Sequence, residues 1–203
     1  MKLSATILAA GRSRRMGDSN KLLLPIDQKP MIYLVCKAAM EAKIDQLILV
    51  TGYKRSDIEK VVPKGMNNII FNKNWSSGMM SSICVGLSKL DVDIVGNMII
   101  LGDMPLIKTT TLNRLVDEFK KNKGEKIIYP LYNKEQANPV IFPKKYFPKI
   151  LHFQGDIGCK KIIKKYQKDT IGININSAEV IIDCDTFDDY FLIEKRLVNN
   201  VQK

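Results

Sequence analysis

Gly11, Arg15, Lys21 and Asp103 are the residues whose types and surroundings point most directly to chemistry. The segment Leu8-Ala9-Ala10-Gly11-Arg12-Ser13-Arg14-Arg15-Met16-Gly17 follows an apolar run, with Lys21 and Leu24-Pro25 beyond it. Small residues let the backbone approach a ligand, and successive N–H groups can cradle an anion. Arg15 and Lys21 can add charge-assisted hydrogen bonds to phosphate oxygens. The segment matches neither the Walker nor the dinucleotide pattern; by itself it equally describes a tight strand-to-helix turn. Leu101-Gly102-Asp103-Met104-Pro105 places a carboxylate just beyond an apolar strand. Such a carboxylate can hold Mg²⁺, which takes one or two protein carboxylates plus substrate phosphates, or it can cap a turn. In Asp183-Cys184-Asp185-Thr186-Phe187-Asp188-Asp189 a second carboxylate can complete that metal site or cap the last helix. Asp183 and Asp185 alternate along an extended segment and so point to one side. Asp188 and Asp189 fall in a first helical turn and suit its dipole.

These segments need a scaffold that brings them to one edge. Short apolar runs over Leu3–Ala9, Gln46–Val50, Asn68–Phe71 and Asn97–Leu101 read as buried strands. Helical patterns alternate with them: one opened by Pro30, one over Ser56–Val62 ended by Pro63, one from Gly78 through Leu90, and one over Thr109–Lys121. Such alternation predicts an open sheet with helices on both faces, its ligand outside the carboxyl ends of the strands. The chemical segments, together with Thr51–Tyr53 and Asn72–Gly78, sit at such ends. Further on, Lys126–Leu131 and Pro139–Phe142 read as neighbouring antiparallel strands. Helical pieces are expected near Lys144–Ile150 and Ile157–Tyr166, a late strand over Glu179–Asp183, and a closing helix over Phe187–Val198.

At 203 residues the chain is expected to form a single domain. No apolar run reaches membrane-spanning length. The apolar start leads straight into the arginine loop, which suits a strand better than a secretory leader. Lysine and arginine outnumber aspartate and glutamate by 32 to 21, a net charge of +11 that favours anionic partners. The lysine pairs lie on helix faces or near turns without an aromatic-interleaved stripe, so no nucleic-acid partner is expected. Four scattered cysteines and one histidine argue against a zinc site or a disulfide framework, and place the protein in the cytoplasm.

The motifs in order resemble one family. A-A-G-x-S-x-R-M-G at Ala9–Gly17, then Lys21, Leu24-Pro25, Val50–Tyr53, Gly102–Pro105 and D-x-D-T-x-D-D at Asp183–Asp189 are similar to the MobA-like NTP transferases. Ala9-Ala10-Gly11 and the Leu151–Gly158 segment resemble the molybdenum cofactor cytidylyltransferase branch. The resemblance runs from Leu8 to about Arg196. Three departures stand out: Gln136-Ala137-Asn138-Pro139 where the family often has G-H-P, Cys159-Lys160 in place of Ala-Arg, and Phe187 in place of proline. All three lie on the acceptor side and leave the nucleotide motifs intact.

The resemblance implies a Rossmann-like, three-layer α/β fold of the glycosyltransferase-A type, with a mostly parallel sheet and a small antiparallel acceptor-side extension. It implies transfer of CMP from CTP to molybdopterin or the molybdenum cofactor, assisted by Mg²⁺ or Mn²⁺, with release of pyrophosphate. By the same similarity Leu8, Ala9, Ala10, Gly11, Arg12 and Ser13 would hold the nucleotide together with Arg15 and Lys21, which with Asp103 would be catalytic. Thr51, Gly52, Gly78, Ser82 and Gly102 would also bind nucleotide, the turn from Gly78 to Ser82 facing the base. Asp103 and Asp185 would ligate the metal, with Asp183 the competitor for second place. Asn138, Pro139, Gly155, Asp156 and Gly158 would meet the acceptor, in an acceptor-binding half over about 106–203 that follows a nucleotide-binding half over about 1–105. A molybdenum hydroxylase apoenzyme is an implied partner; a membrane is not. The alternatives are GTP in place of CTP, a sugar or alditol phosphate or methylerythritol phosphate as acceptor, and a non-catalytic carrier of the cofactor. Retention of both carboxylates with Lys21 and Arg15 speaks against the carrier.

Overall fold

The computed structural model describes residues 1–17, 19–153 and 159–201. Its strands are β1 (Lys2–Ala9), β2 (Pro25–Ile26), β3 (Lys29–Pro30), β4 (Gln46–Thr51), β5 (Ile69–Phe71), β6 (Ile94–Leu101), β7 (Ile127–Tyr132), β8 (Glu135–Gln136), β9 (Val140–Pro143) and β10 (Thr170–Asn174). Its helices are α1 (Met31–Met40), α2 (Arg55–Val61), α3 (Met79–Leu87), α4 (Thr109–Lys121), α5 (Phe147–Leu151), α6 (Cys159–Lys165) and α7 (Phe187–Val201). The main sheet runs β10-β7-β9-β6-β1-β4-β5, with β8 paired to β7. β6, β1, β4 and β5 are mutually parallel, and β10 is parallel to β7; β9 is antiparallel to both β6 and β7. β2 and β3 form a separate small antiparallel pair.

Strand alternation builds the layers. Leu3, Ala5 and Ile7 of β1 and Met98 and Ile100 of β6 pack into one apolar cluster with α1, α2, α4 and α7. Leu8 of β1 and Ile99 of β6 turn to the opposite cluster, under α3, α5 and α6. The fold is therefore a mostly parallel α/β sandwich, as expected from the alternating pattern. On the α3 side β1 also presents Ser4 and Thr6, whose hydroxyls donate to Asn97 Oδ1 at 2.7 and 3.2 Å. Helix α3 lies directly on them: a Cβ at Gly86 would come within 2.4 Å of Thr6 Cγ2. That close seat puts the N-terminal turn of α3 at the carboxyl edge of the sheet.

One expectation is corrected. Glu179–Asp183 is not a strand; Ala178–Val180 is a 3₁₀ turn, and the late strand is Thr170–Asn174. The apolar letters misled because Val180 is buried from within a 3₁₀ turn while the next residue, Ile181, is 42% exposed, so the run records hydrophobicity without a strand partner. The segment is tied instead by side chains. Buried Glu179 accepts hydrogen bonds from Thr111 Oγ1 (2.6 Å) and Ser177 Oγ (2.9 Å). Helix α3 also stops at Leu87 rather than Leu90, and Lys144–Tyr146 is a 3₁₀ turn leading into α5.

Candidate active site

The carboxyl ends of β1 and β6 and the segment before α7 meet around a cavity of about 530 Å³. Gly102 makes the first meeting possible: its N–H donates to Leu8 O at 3.0 Å, and a Cβ there would lie 2.7 Å from that oxygen. Asp103 therefore emerges beside the arginine loop. The Cys184 N–H donates to Asp103 O at 3.0 Å, and Cys184 is itself fully buried. With Cys184 turned inward, Asp183 and Asp185 both line the cavity. Asp185 is held from behind by a capping arrangement. Asp189 Oδ2 accepts from the Asp185 and Thr186 N–H groups at 3.0 and 2.8 Å, and Thr186 Oγ1 accepts from Asp189 N–H at 3.2 Å.

Lys21 reaches the same point from the 3₁₀ turn Lys21–Leu23. Asn20, absent from the sequence-based site, fixes that turn: its Oδ1 accepts from Leu22 N–H at 3.1 Å, and its Nδ2 donates to Tyr53 O at 3.4 Å. An asparagine preceding a short helical turn was the available signal. The Lys21 ammonium donates to Asp103 Oδ2 at 2.6 Å and Asp185 Oδ1 at 2.8 Å, with 13% of its side chain exposed. Arg15 Nη1 donates to Asp185 Oδ2 at 2.5 Å from an exposed position. Burial draws the Lys21 pKa down, but the two carboxylates outweigh it and leave the value raised. The hydrogen bond from Lys21 holds Asp185 below the ordinary carboxylate value, against its own desolvation. Asp183 is pushed up by desolvation and by the charges of Asp103 and Asp185.

The loop between Leu8 and Arg15 forms one wall. Ser13 takes the left-handed conformation (φ 57°), and its Oγ accepts from Lys21 N–H at 3.2 Å. A Cβ at Gly11 would meet nothing within 4 Å among the described residues, so the loop has room there. The opposite wall is Trp75, Ser76, Gly78, Met79 and Ser82. Asn72 Nδ2 donates to Ser82 Oγ at 3.0 Å, which leaves the Ser82 hydroxyl proton to point elsewhere.

The structure thus brings together Leu8, Ala10, Gly11, Arg12, Ser13, Arg15, Lys21, Gly78, Ser82, Asp103 and Asp185. Ala9, Thr51, Gly52 and Gly102 lie behind the cavity rather than on it. Thr51 is buried with its hydroxyl on Ile70 O at 3.4 Å, and a Cβ at Gly52 would come within 2.6 Å of both Ala10 O and Trp75 Cβ. Asn138 and Pro139 stand at the start of β9, away from the cavity wall, where Asn138 N–H donates to Val180 O at 3.0 Å. Gly155, Asp156 and Gly158 lie outside the described residues. The cavity is also lined by Trp75, Ser76 and Met79, which lie in the segments Asn72–Gly78 and Gly78–Ser82 that the sequence places at the ligand edge without singling them out, and by Leu22 and Leu101, which sequence reasoning missed.

The donor set fits a hard divalent cation. Among the described residues, Asp103 Oδ1 is buried without a hydrogen-bond partner beside Lys21-bound Oδ2. Among the described residues no three His, Cys, Asp or Glu side chains form a closed metal cage. A site of few carboxylates completed by substrate phosphates suits Mg²⁺ or Mn²⁺. The cysteines Cys36, Cys84, Cys159 and Cys184 are free thiols. Among the described residues no helix is long and apolar enough to cross a membrane.

Known proteins share the sequence pattern and the fold. The model of the MobA-like NTP transferase domain matches residues 5–170. The chain is 25% identical over 198 residues to the molybdenum cofactor cytidylyltransferase of Escherichia coli K12, covering 96% of each chain. It is likewise 25% identical over 205 residues to the purine catabolism protein PucB of Bacillus subtilis 168, covering 96% of this chain and 97% of that one. The crystal structure of Rv0371c from Mycobacterium tuberculosis H37Rv superposes with a TM-score of 0.85 at 25% identity, covering 96% of this chain and 98% of that one. A complex of the same protein with manganese superposes with a TM-score of 0.83 at 24% identity, covering 96% and 99%. With a family model matched over most of its length, the chain belongs to the MobA-like NTP transferase family and is a nucleotidyltransferase.

Proposed function

We propose that the protein transfers CMP from CTP to the phosphate of molybdopterin or the molybdenum cofactor, with Mg²⁺ and release of pyrophosphate. The observation that carries this reading is the Lys21 ammonium held between Asp103 and Asp185 at the edge of the Leu8–Arg15 loop. Phosphoryl transfer needs little covalent help; it needs positioning and neutralisation of anionic oxygens. An oxygen of the acceptor phosphate attacks the α-phosphorus of CTP, the bond to the bridging oxygen breaks, and pyrophosphate carries the electrons away. That oxygen is already ionised at neutral pH, so no side chain must remove a proton. Lys21 and Arg15 supply positive charge, and the loop N–H groups hold the phosphates in line. Asp103 and Asp185 would hold the divalent cation, which when bound draws charge from the phosphate oxygens. The Ser82 hydroxyl and the backbone near Gly78 would read the cytosine edge, a recognition that rejects a purine by shape and by unpaired polar groups.

Asn138, Pro139, Gly155, Asp156 and Gly158 remain the proposed acceptor contacts, in an acceptor half over about 106–203. The same reading places the protein in the cytoplasm and hands its product to a molybdenum hydroxylase apoenzyme. One observation favours keeping a second reading, the same chemistry with GTP or another phosphorylated acceptor: the chain is also 31% identical over 135 residues to a probable molybdenum cofactor guanylyltransferase of Thermococcus gammatolerans, covering 66% of this chain and 65% of that one. A thermal-shift panel separates them, with CTP, GTP, ATP and UTP, each with and without Mg²⁺. At a hundredfold excess over Kd a ligand stabilises by about 2.7 kcal/mol, or roughly 5–10 °C in a domain of this size. CTP with Mg²⁺ should give the largest shift. A GTP shift as large moves the reading to guanylyl transfer, and no shift with any nucleotide refutes it.

A further inference from the structure

The cavity has a charged end and an aromatic end. Asp103 follows β6, the backbone loop follows β1, and Trp75 sits over the end of β4, against Gly52. β1 lies between β6 and β4, so two inter-strand spacings, roughly 10 Å, separate the ends. The charged groups with the backbone loop stand at one end and the aromatic residue at the other, as phosphates and base stand at the two ends of a nucleoside triphosphate.

Trp75 is the sole tryptophan of the chain, and its place is closely determined. Beneath it, a Cβ at Gly52 would approach Trp75 Cβ to 2.6 Å. Beside it, the Tyr53 ring stands 5.7 Å away at 53°. Its turn, Trp75–Ser77, is pinned in front by Asn72 Oδ1 accepting from Asn74 N–H at 2.9 Å. Behind, the turn is followed by the Ser81 hydroxyl donating to Gly78 O at 2.8 Å. Trp75 is half-buried and still lines the cavity. A ring held this firmly loses little freedom when a flat ligand covers it, and every base offers a π-face to an aromatic side chain.

We infer that Trp75 is the nucleobase platform of this site: it contacts the base of the bound nucleoside triphosphate and supplies affinity regardless of base identity, while Ser82 discriminates among bases. The inference rests on the nucleotidyltransferase reading above. The test is calorimetric titration of wild type, Trp75→Ala and Trp75→Phe with CTP, GTP and inorganic tripolyphosphate in Mg²⁺, alongside Trp75 fluorescence of the wild type. Trp75→Ala should weaken CTP and GTP roughly 5- to 100-fold, the range for losing one base–aromatic contact. It should leave tripolyphosphate unchanged, and Trp75→Phe should restore part of the loss. Wild-type fluorescence should change with CTP and not with tripolyphosphate, a readout that stands even if the alanine variant does not fold. Unchanged CTP binding in Trp75→Ala overturns the platform role alone, as does equal weakening of CTP and tripolyphosphate. Failure of the wild type to bind either CTP or tripolyphosphate overturns the nucleotide site itself and the inference with it.

Discussion

Replacing Lys21 with alanine removes the cation shared by two carboxylates. Breaking a fully buried pair by removing one partner costs about 3–5 kcal/mol. Here the Asp103 and Asp185 side chains are 20% and 39% exposed, so water partly takes over, and Asp185 keeps its pair with Arg15. The loss of stability should be smaller, about 1–3 kcal/mol, lowering Tm by roughly 2–10 °C. The loss of rate should be larger. A strong electrostatic donor aimed at charge that develops in the transition state is worth about 10²–10³ in kcat. Lys21→Arg should recover only part of it, because a planar fork does not replace a compact ammonium seated between two carboxylates. Lys120→Ala, on the exposed face of α4, is the control and should change neither quantity. The assay is pyrophosphate release under saturating CTP, Mg²⁺ and acceptor, paired with a thermal melt. A Lys21→Ala variant that melts lower yet turns over within twofold of wild type would refute the phosphate role and leave Lys21 a structural cation.

Three further perturbations bear on the same site. Asp103→Ala should fold nearly normally, since Lys21 keeps Asp185, yet lose several orders of magnitude in Mg²⁺-dependent turnover; near-normal turnover removes Asp103 from the mechanism. Gly52→Ala forces a methyl to within 2.6 Å of Ala10 O and Trp75 Cβ, and overpacking of that kind costs about 1–3 kcal/mol; an unchanged melting temperature would show that the loop and the Trp75 turn yield freely. Without divalent metal, Asp185 binds its proton more weakly folded than unfolded, so the stability it contributes is present above the ordinary carboxylate pKa and is lost as pH falls through the folded value. Melts across that range should show a shallower acid decline in Asp185→Asn than in wild type, and identical slopes would place the acid sensitivity elsewhere.

Local patterning was enough for much of the scaffold. The apolar faces of α4 repeat at helical spacing, and the expected Thr109–Lys121 matches its observed bounds. The runs that became β1, β4 and β6 are continuous because both sheet faces are covered, which is how a parallel strand reads. The chemistry of the Leu8–Arg15 loop was legible for a related reason: small residues, arginines and Lys21 follow one strand within a few positions. So was the shared side of Asp183 and Asp185, since alternation along an extended segment is local.

Tertiary structure decided what those residues do together. Nothing near Lys21 in the chain says that its ammonium lies between carboxylates 82 and 164 residues away; that pairing depends on Cys184 docking its N–H onto Asp103. Trp75 reads as an isolated aromatic until Gly52, on a different strand end, leaves room for it. β10 escaped notice because Thr170–Asn174 is short and broken by Gly172, where a Cβ would strike Leu131 at 2.6 Å. The Glu179 segment was misread as a strand because apolar letters record hydrophobicity but not the partner of a buried carboxylate. Side-chain periodicity reports how a segment meets its own nearest neighbours, and so it carries the elements. The active site is assembled from contacts between strand ends, which exist only once the sheet has ordered its strands and the helices have closed over it.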